Sequence, residues 1–186
     1  SNKKDLMNLY KVPDETIITQ NFIPVLPQIY SEKKIEGISF QNIYKKLNLP
    51  EKKKIIYYPA QFWAHKNHKY IIDAARILKK KENDDYFFVF SGNKNANYQY
   101  IYDLIKTYEL ENYIKIFSFI NDEDIISMYL NCDAIVMPTY CGPTNLPIYE
   151  FFYFKKIIFY SKELIPDDNI NQHLIQIDLN SPIDLC

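Results

Sequence analysis

Residues 87–90, Phe-Phe-Val-Phe, leave no polar side chain on either side of a two-residue repeat. A strand sends successive side chains to opposite faces, so such a run has to be buried on both. Parallel sheets covered by helices provide that burial. The run lies in "DYFFVFSG" (85–92) and similar ones recur in "KKIIYYP" (53–59), "DAIVMP" (133–138) and "KIIFYS" (156–161). "NYIKIFSFI" (112–120), "HLIQID" (173–178) and a short β-like stretch in "DETIITQ" (14–20) extend the set.

Helical patterns separate these runs. "NHKYIIDAARILKKK" (67–81) puts Ile71, Ala74, Ala75 and Leu78 at i, i+3, i+4 and i+7. Its lysine-rich end complements the negative end of the helix dipole. "YQYIYDLIKTYEL" (98–110) lines up Ile101, Leu104, Ile105 and Tyr108. "NDEDIISMYLNC" (121–132) opens on an Asn/Asp cap with acids in its first turn. "PIYEFFYF" (147–154) predicts a short buried helix with Pro147 at its first position. Strand–helix alternation of this kind gives an α/β fold with a doubly wound parallel sheet.

The 186 residues, 47% hydrophobic and 16% aromatic, suit one domain with a full core. A net charge of −1 and scattered lysines offer nucleic acid no electrostatic footprint. Cys132, Cys141 and Cys186 form neither a disulfide framework nor a metal-ligand spacing. There is no signal peptide and no apolar run of about 18 residues, which makes the cytoplasm the default location. The opening Ser-Asn and the bare ending at Cys186 read as those of a fragment.

In such sheets ligands bind beyond the carboxyl ends of the strands. The loops at 59–66, 92–97, 118–122 and 138–147 should therefore share one rim. "YPAQFWAHKNH" (58–68) holds Gln61, Trp63, His65, Lys66 and His68 just before a helix. A helix N-terminus repels a lysine unless an anion sits there to be shared; otherwise Lys66 is a solvated loop residue. His65 and His68 lack a third metal ligand and read as surface or capping residues. In "FSGNKNANY" (90–98), Ser91 and Gly92 make a tight turn that can leave room for a ligand. Neither G-x-G-x-x-G nor a P-loop is present.

"MPTYCGPTNLPIYEFFYF" (137–154) is stiffened by Pro138, Pro143 and Pro147, while Gly142 permits a sharp turn. A helix beginning at Pro147 leaves early N–H groups pointing at the rim, where phosphate is the natural guest. Glu150 lies one turn inside. Its carboxylate could accept two hydrogen bonds from a vicinal diol such as that of a ribose. It could equally just favour the helix start, worth about 0.3–1 kcal/mol.

The order strand–"PAQFWAHKNH"–helix, strand–"FSG"–helix, "IKIFSFINDEDIISMYLNCDAIVMPTY", then "GPTNLPIYE" resembles the C-terminal half of the retaining group 1 glycosyltransferases, family four. "DLMNLYKVPDETIITQNFI" resembles the segment that enters this half. The resemblance spans roughly residues 4 to 184, and "GPTNLP-x-x-E" is its most specific part. It implies a GT-B enzyme, of which this chain is one Rossmann-like half-domain over residues 1–186, with the N-terminal acceptor domain absent. It also implies a UDP- or GDP-sugar donor and no metal.

By that resemblance Glu150 is the second glutamate of the E-x7-E motif and holds the ribose, and Lys66 contacts the diphosphate. Thr144, Asn145 and Leu146 face the phosphates and sugar, Ser91 and Gly92 lie beside the nucleotide, and Phe119 and Ile120 line the base pocket. Three departures stand out. Gly142 replaces the first glutamate, which contacts the transferred sugar. Gln61 stands where arginine is common. Lys155-Lys156-Ile157 replaces a "G-x-P" turn.

The implied reaction is retaining glycosyl transfer to a sugar or lipid-linked hydroxyl in surface polysaccharide or glycolipid assembly. The full protein would then work in the cytoplasm, with room for peripheral contact at the inner membrane face. This half alone would bind donor without turnover. A catalytically inactive glycosyltransferase-like binding module is the alternative. A response regulator would need clustered acids at a strand end, and an epimerase would need the glycine fingerprint with Tyr-x-x-x-Lys; neither is present.

Overall fold

The computed structural model describes residues 2–18, 43–142, 146–164 and 174–186. Helix α1 (Asn2–Tyr10) leads to a short 3-10 turn at Asp14–Thr16, and α2 spans Ile43–Lys46. Then follow β1 (Lys54–Pro59), α3 (His68–Lys80), β2 (Tyr86–Ser91), α4 (Tyr98–Thr107) and β3 (Ile114–Phe117). The second half holds α5 (Asp122–Asn131), β4 (Ala134–Met137), α6 (Leu146–Tyr153), β5 (Ile157–Ser161) and β6 (Leu174–Ile177).

All pairings are parallel, in the order β3-β2-β1-β4-β5-β6. The chain winds outward from β1 to β3, returns to the centre and winds outward the other way. The expected doubly wound Rossmann-like sheet is what forms. Its topological switch point lies between β1 and β4, where the loops leaving two adjacent strands part to opposite sides.

Aromatic side chains fill both layers. On one face Tyr58 meets Phe90 and His68 of α3. On the other, Tyr57 meets Tyr129 of α5, which packs edge-on against Phe151 of α6. Tyr57, Tyr58, Phe88, Phe90 and Phe151 are fully buried, each contributing about 1.5–3 kcal/mol of transfer free energy. A buried phenol needs a hydrogen-bond partner. Tyr58 donates to the Lys66 carbonyl, and Tyr57 meets the Ser91 hydroxyl at 2.5 Å.

Four helices end in left-handed residues that are not glycine. Asn48, Glu82, Glu109 and Lys155 have φ of 49°, 54°, 53° and 53°. After each, the next amide reaches back five residues, as in Lys156 N–H to Phe151 O at 3.2 Å. This is the Schellman closure, which glycine adopts without strain. With three glycines in the whole chain, other residues carry that conformation.

The expected strand in 14–20 does not form where it is described. The Thr16 amide and hydroxyl both donate to the Pro13 carbonyl and close a turn, and residues 19–20 lie outside the described set. The strand expected over 112–120 is four residues long, because its neighbour β2 ends at Ser91 opposite Phe117. Helix α6 starts one residue early, at Leu146.

Candidate nucleotide-binding site

The loop leaving β1 is anchored by Phe62, which is fully buried against His68 and Tyr98. Gln61, just before it, is exposed. Its side-chain carbonyl accepts hydrogen bonds from Trp63 Nε1 and Asn95 Nδ2, both at 3.0 Å, tying the β1 loop to the β2 loop.

A cleft of about 290 Å³ opens where these loops meet the one after β3, and Gln61, Ser91, Gly92, Phe119 and Ile120 all line it. Asp122 and Ile125 of α5 close one side. Phe119 is 77% exposed while Ile120 is buried, so an aromatic face stands free above an apolar floor. Gly92 is glycine for a reason within the protein: a Cβ there would lie 2.3 Å from the Ala60 carbonyl oxygen. Ser91 is buried and its hydroxyl is held by Tyr57.

Across the switch point the loops after β1 and β4 are joined. Tyr140 N–H donates to the His65 carbonyl at 2.9 Å. The Thr139 hydroxyl lies 3.0 Å from the same carbonyl and 2.7 Å from that of Cys141. Lys66 follows directly and is half-buried. Burial pulls its pKa down, while neighbouring Cys141 pulls it back up. Among the described residues no carboxylate pairs with this ammonium. Gly142, half-buried, is the last described residue before α6; Thr144 and Asn145 lie outside the described set. Leu146 opens α6 at the same rim.

Glu150 sits one turn into α6, half-buried. Burial raises its pKa, and a hydrogen bond from Tyr129 works against that rise. Tyr129 Oη donates to Glu150 Oε2 at 3.1 Å. The contacts run on from Tyr129 to Tyr57, whose rings are 5.8 Å apart, and from Tyr57 to Ser91 in the cleft.

The Glycosyl transferases group 1 family model matches residues 39–176. The chain belongs to the group 1 glycosyl transferases. A glycosyltransferase from Rickettsia africae superimposes with a TM-score of 0.74 at 23% identity, over 99% of this chain and 48% of its own. WaaG, a glycosyltransferase involved in lipopolysaccharide biosynthesis, gives 0.70 at 13% identity, over 97% and 49%. Anabaena HepE, solved in complex with UDP, gives 0.65 at 15% identity, over 78% and 40%. These likenesses show the fold, that of one GT-B half, and the chain spans about half or less of each structure's length. No curated protein matches it.

Among group 1 residues expected to act, the structure thus gathers Gln61, Ser91, Gly92, Phe119 and Ile120 in one cleft. It brings Lys66 near Cys141, the neighbour of Gly142, across the switch point and links Glu150 to the cleft wall. His68 is not a surface or capping residue: it is fully buried, stacked on Phe62 at 4.4 Å. The Ala60 carbonyl faces its ring, but neither nitrogen reaches a partner at hydrogen-bond geometry. Burial pulls its pKa down to about 3. Tyr129 and Tyr57 escaped sequence reasoning, because a tyrosine on a core-facing stripe shows no sign of what its hydroxyl touches.

A larger groove, about 860 Å³, runs along the β3 edge between Leu49, Tyr98 and Ile116. Its cations are already engaged: Lys53 with Asp84, Lys106 with Glu111, and Lys115 with the Leu47 and Asn48 carbonyls. The rim cleft instead lies past the carboxyl ends of β1, β2 and β3, where ligands of such sheets bind. Among the described residues no three His, Cys, Asp or Glu side chains gather to hold a metal ion, and no helix is long and apolar enough to cross a membrane.

Proposed function

We propose that this chain is the C-terminal, donor-binding half of a GT-B glycosyltransferase. It would move a sugar from a UDP- or GDP-sugar to a hydroxyl acceptor with retention, in surface polysaccharide or glycolipid assembly. The observation that carries this reading is the rim cleft with its exposed aromatic face, together with a half-buried ammonium at the switch point that pairs with no carboxylate among the described residues. A nucleoside diphosphate has the complementary parts: a flat base, a vicinal diol and two phosphates. HepE, of the same fold, has been solved with UDP and with UDP-glucose.

The base would stack on Phe119 above Ile120. The ribose diol would donate to Glu150. The diphosphate would lie between Lys66 and the amides that open α6. The hard step is departure of the diphosphate from an oxocarbenium-like sugar, and a preorganised cation with aligned amides stabilises that developing charge. No metal is called for. The acceptor site and any general base would belong to an N-terminal half, placing turnover in the full protein, in the cytoplasm at the inner membrane face.

Charge-assisted hydrogen bonds contribute about 1.5–3 kcal/mol each. Three or four, less the cost of docking, correspond to a Kd of about 0.1–1 mM for this half alone. Titration with UDP and GDP followed by NMR tests it: resonances of the 59–66, 92–97 and 118–122 loops should move. No movement at millimolar ligand would sink the reading.

A second reading has two observations in its favour. Gly142 lacks the first motif glutamate, and Gln61, neutral, has its carbonyl oxygen committed to Trp63 and Asn95. A catalytically inactive binding module would tolerate both. Donor hydrolysis or transfer by the complete protein separates the two.

A further inference from the structure

We propose that Tyr129 is the positioning residue that presents Glu150 to the nucleotide's ribose. This rests on the donor-binding reading above and deepens it. Glu150 projects from a helix on a side chain with three rotatable bonds, and it enters a layer lined by aromatic rings. Among the described side chains of its own helix, none hydrogen-bonds the carboxylate. Tyr129 does: its hydroxyl donates to Oε2 at 3.1 Å. The donor is itself immobile. Tyr129 is 4% exposed, and its ring is held by Phe151 at 4.8 Å, Phe154 at 5.4 Å and Tyr57 at 5.8 Å.

Among the described residues Tyr129 is the one hydrogen-bond donor to this carboxylate. With Oε2 held by one phenol proton, Oε1 and the second lone pair of Oε2 remain to accept the two hydroxyls of a vicinal diol. Among the described residues no cation pairs with Glu150, so the phenol is the group that keeps a partly desolvated carboxylate oriented. Tyr57 completes the arrangement. It packs on Tyr129 and hydrogen-bonds Ser91 at 2.5 Å, so the wall of the cleft and the holder of Glu150 form one packed unit. A Tyr129→Phe change removes one hydroxyl and keeps these ring contacts.

The test is a double-mutant cycle in the full chain, with Tyr129→Phe, Glu150→Gln and the pair. Affinities are read for UDP, GDP, their 2′-deoxy counterparts and inorganic pyrophosphate, with thermal unfolding to check folding. Tyr129→Phe should bind the ribonucleotides about 3–10-fold more weakly. The 2′-deoxy counterparts and pyrophosphate should change less than about 2-fold, and the double variant should be no weaker than Glu150→Gln. Equal losses for pyrophosphate, or losses of the two variants that simply add, would overturn the proposal. Wild-type protein that binds neither UDP nor GDP overturns both it and the donor-binding reading. Wild-type protein that binds ribonucleotide, beside an unchanged Tyr129→Phe variant, overturns this proposal alone. Should the Phe variant not fold, a crystal structure of the wild type with UDP decides. Oε2 should stay within hydrogen-bond distance of Tyr129 while the ribose hydroxyls meet the carboxylate. A carboxylate swung away from Tyr129 to reach the ribose overturns the proposal.

Discussion

Gly92 lies so close to the end of β1 that a methyl group on it would sit 2.3 Å from the Ala60 carbonyl oxygen and 2.8 Å from Gln61 Cα. Both obstacles are backbone, so no side chain can turn aside. Gly92→Ala should therefore part the ends of β1 and β2 and cost about 1–3 kcal/mol in denaturant unfolding. The same displacement deforms the cleft wall, so nucleotide affinity should fall together with stability. A stable variant with unchanged unfolding would contradict the close approach.

Lys66 and Glu150 are expected to lose different ligands. Lys66→Met should weaken UDP and pyrophosphate alike, by about 10-fold for one charge-assisted contact. Glu150→Ala should weaken UDP and leave pyrophosphate within about 2-fold, since the ribose alone is released. Parallel isothermal titrations give both ratios, and equal losses of the two ligands on Glu150→Ala would remove the ribose role.

The pH dependence of nucleotide binding follows from the same pair. Glu150 must be ionised to accept the diol, and burial raises its pKa. Affinity should therefore fall on acidification, with a midpoint above that of an ordinary carboxylate. Lys66 must be protonated, and burial lowers its pKa. Affinity should also fall on alkalinisation, below the midpoint of an ordinary lysine. The result is a bell narrower on both sides than unperturbed groups would give. Stability moves oppositely for Glu150: a raised native pKa binds the proton more tightly when folded, so its ionisation costs stability as pH rises through that pKa. Glu150→Gln should raise the melting temperature at neutral pH while weakening binding.

His68 supplies an acid-sensitive element of the core. Its folded pKa of about 3 lies below the model-peptide value of 6.5. The unfolded chain therefore binds the proton more readily. The stability contributed by the neutral ring is present above pH 6.5 and lost progressively as pH falls towards 3. His68→Leu should flatten unfolding free energy across that window. At neutral pH it should match or exceed the wild type, because two unpartnered ring nitrogens are replaced by hydrocarbon.

Lys155 occupies the left-handed closing position of α6 with φ of 53°. Lys155→Gly should stabilise the protein by up to about 1 kcal/mol, since a side chain there costs roughly 1–2 kcal/mol and glycine returns part of it in backbone entropy. Thermal unfolding checks it. Lys156→Gly, one residue on, serves as control and should not stabilise.

The strands of this fold could be read from runs such as Phe87–Phe90 because burial on both faces leaves no other use for them. Helix α3 could be read from the spacing of Ile71, Ala74, Ala75 and Leu78, all of which are buried. The Asn121 cap is present as expected, its side chain accepting from Asp124 N–H at 2.9 Å. What the sequence hid were tertiary facts. His68 looks polar, yet the aromatic box of Tyr58, Phe62 and Phe90 encloses it. The length of β3 depends on where its neighbour stops. The site residues after β1, β2 and β3 could be placed on one rim, but the hold of Tyr129 on Glu150 joins positions 21 apart and leaves no local trace.

The tie between the two switch-point loops has an evolutionary consequence. Position 140 contributes its amide to that tie and points a half-exposed ring at solvent. Any residue except proline can supply the amide. Sequence drift there can reshape the mouth of the site, and hence what is admitted to it, without loosening the scaffold beneath.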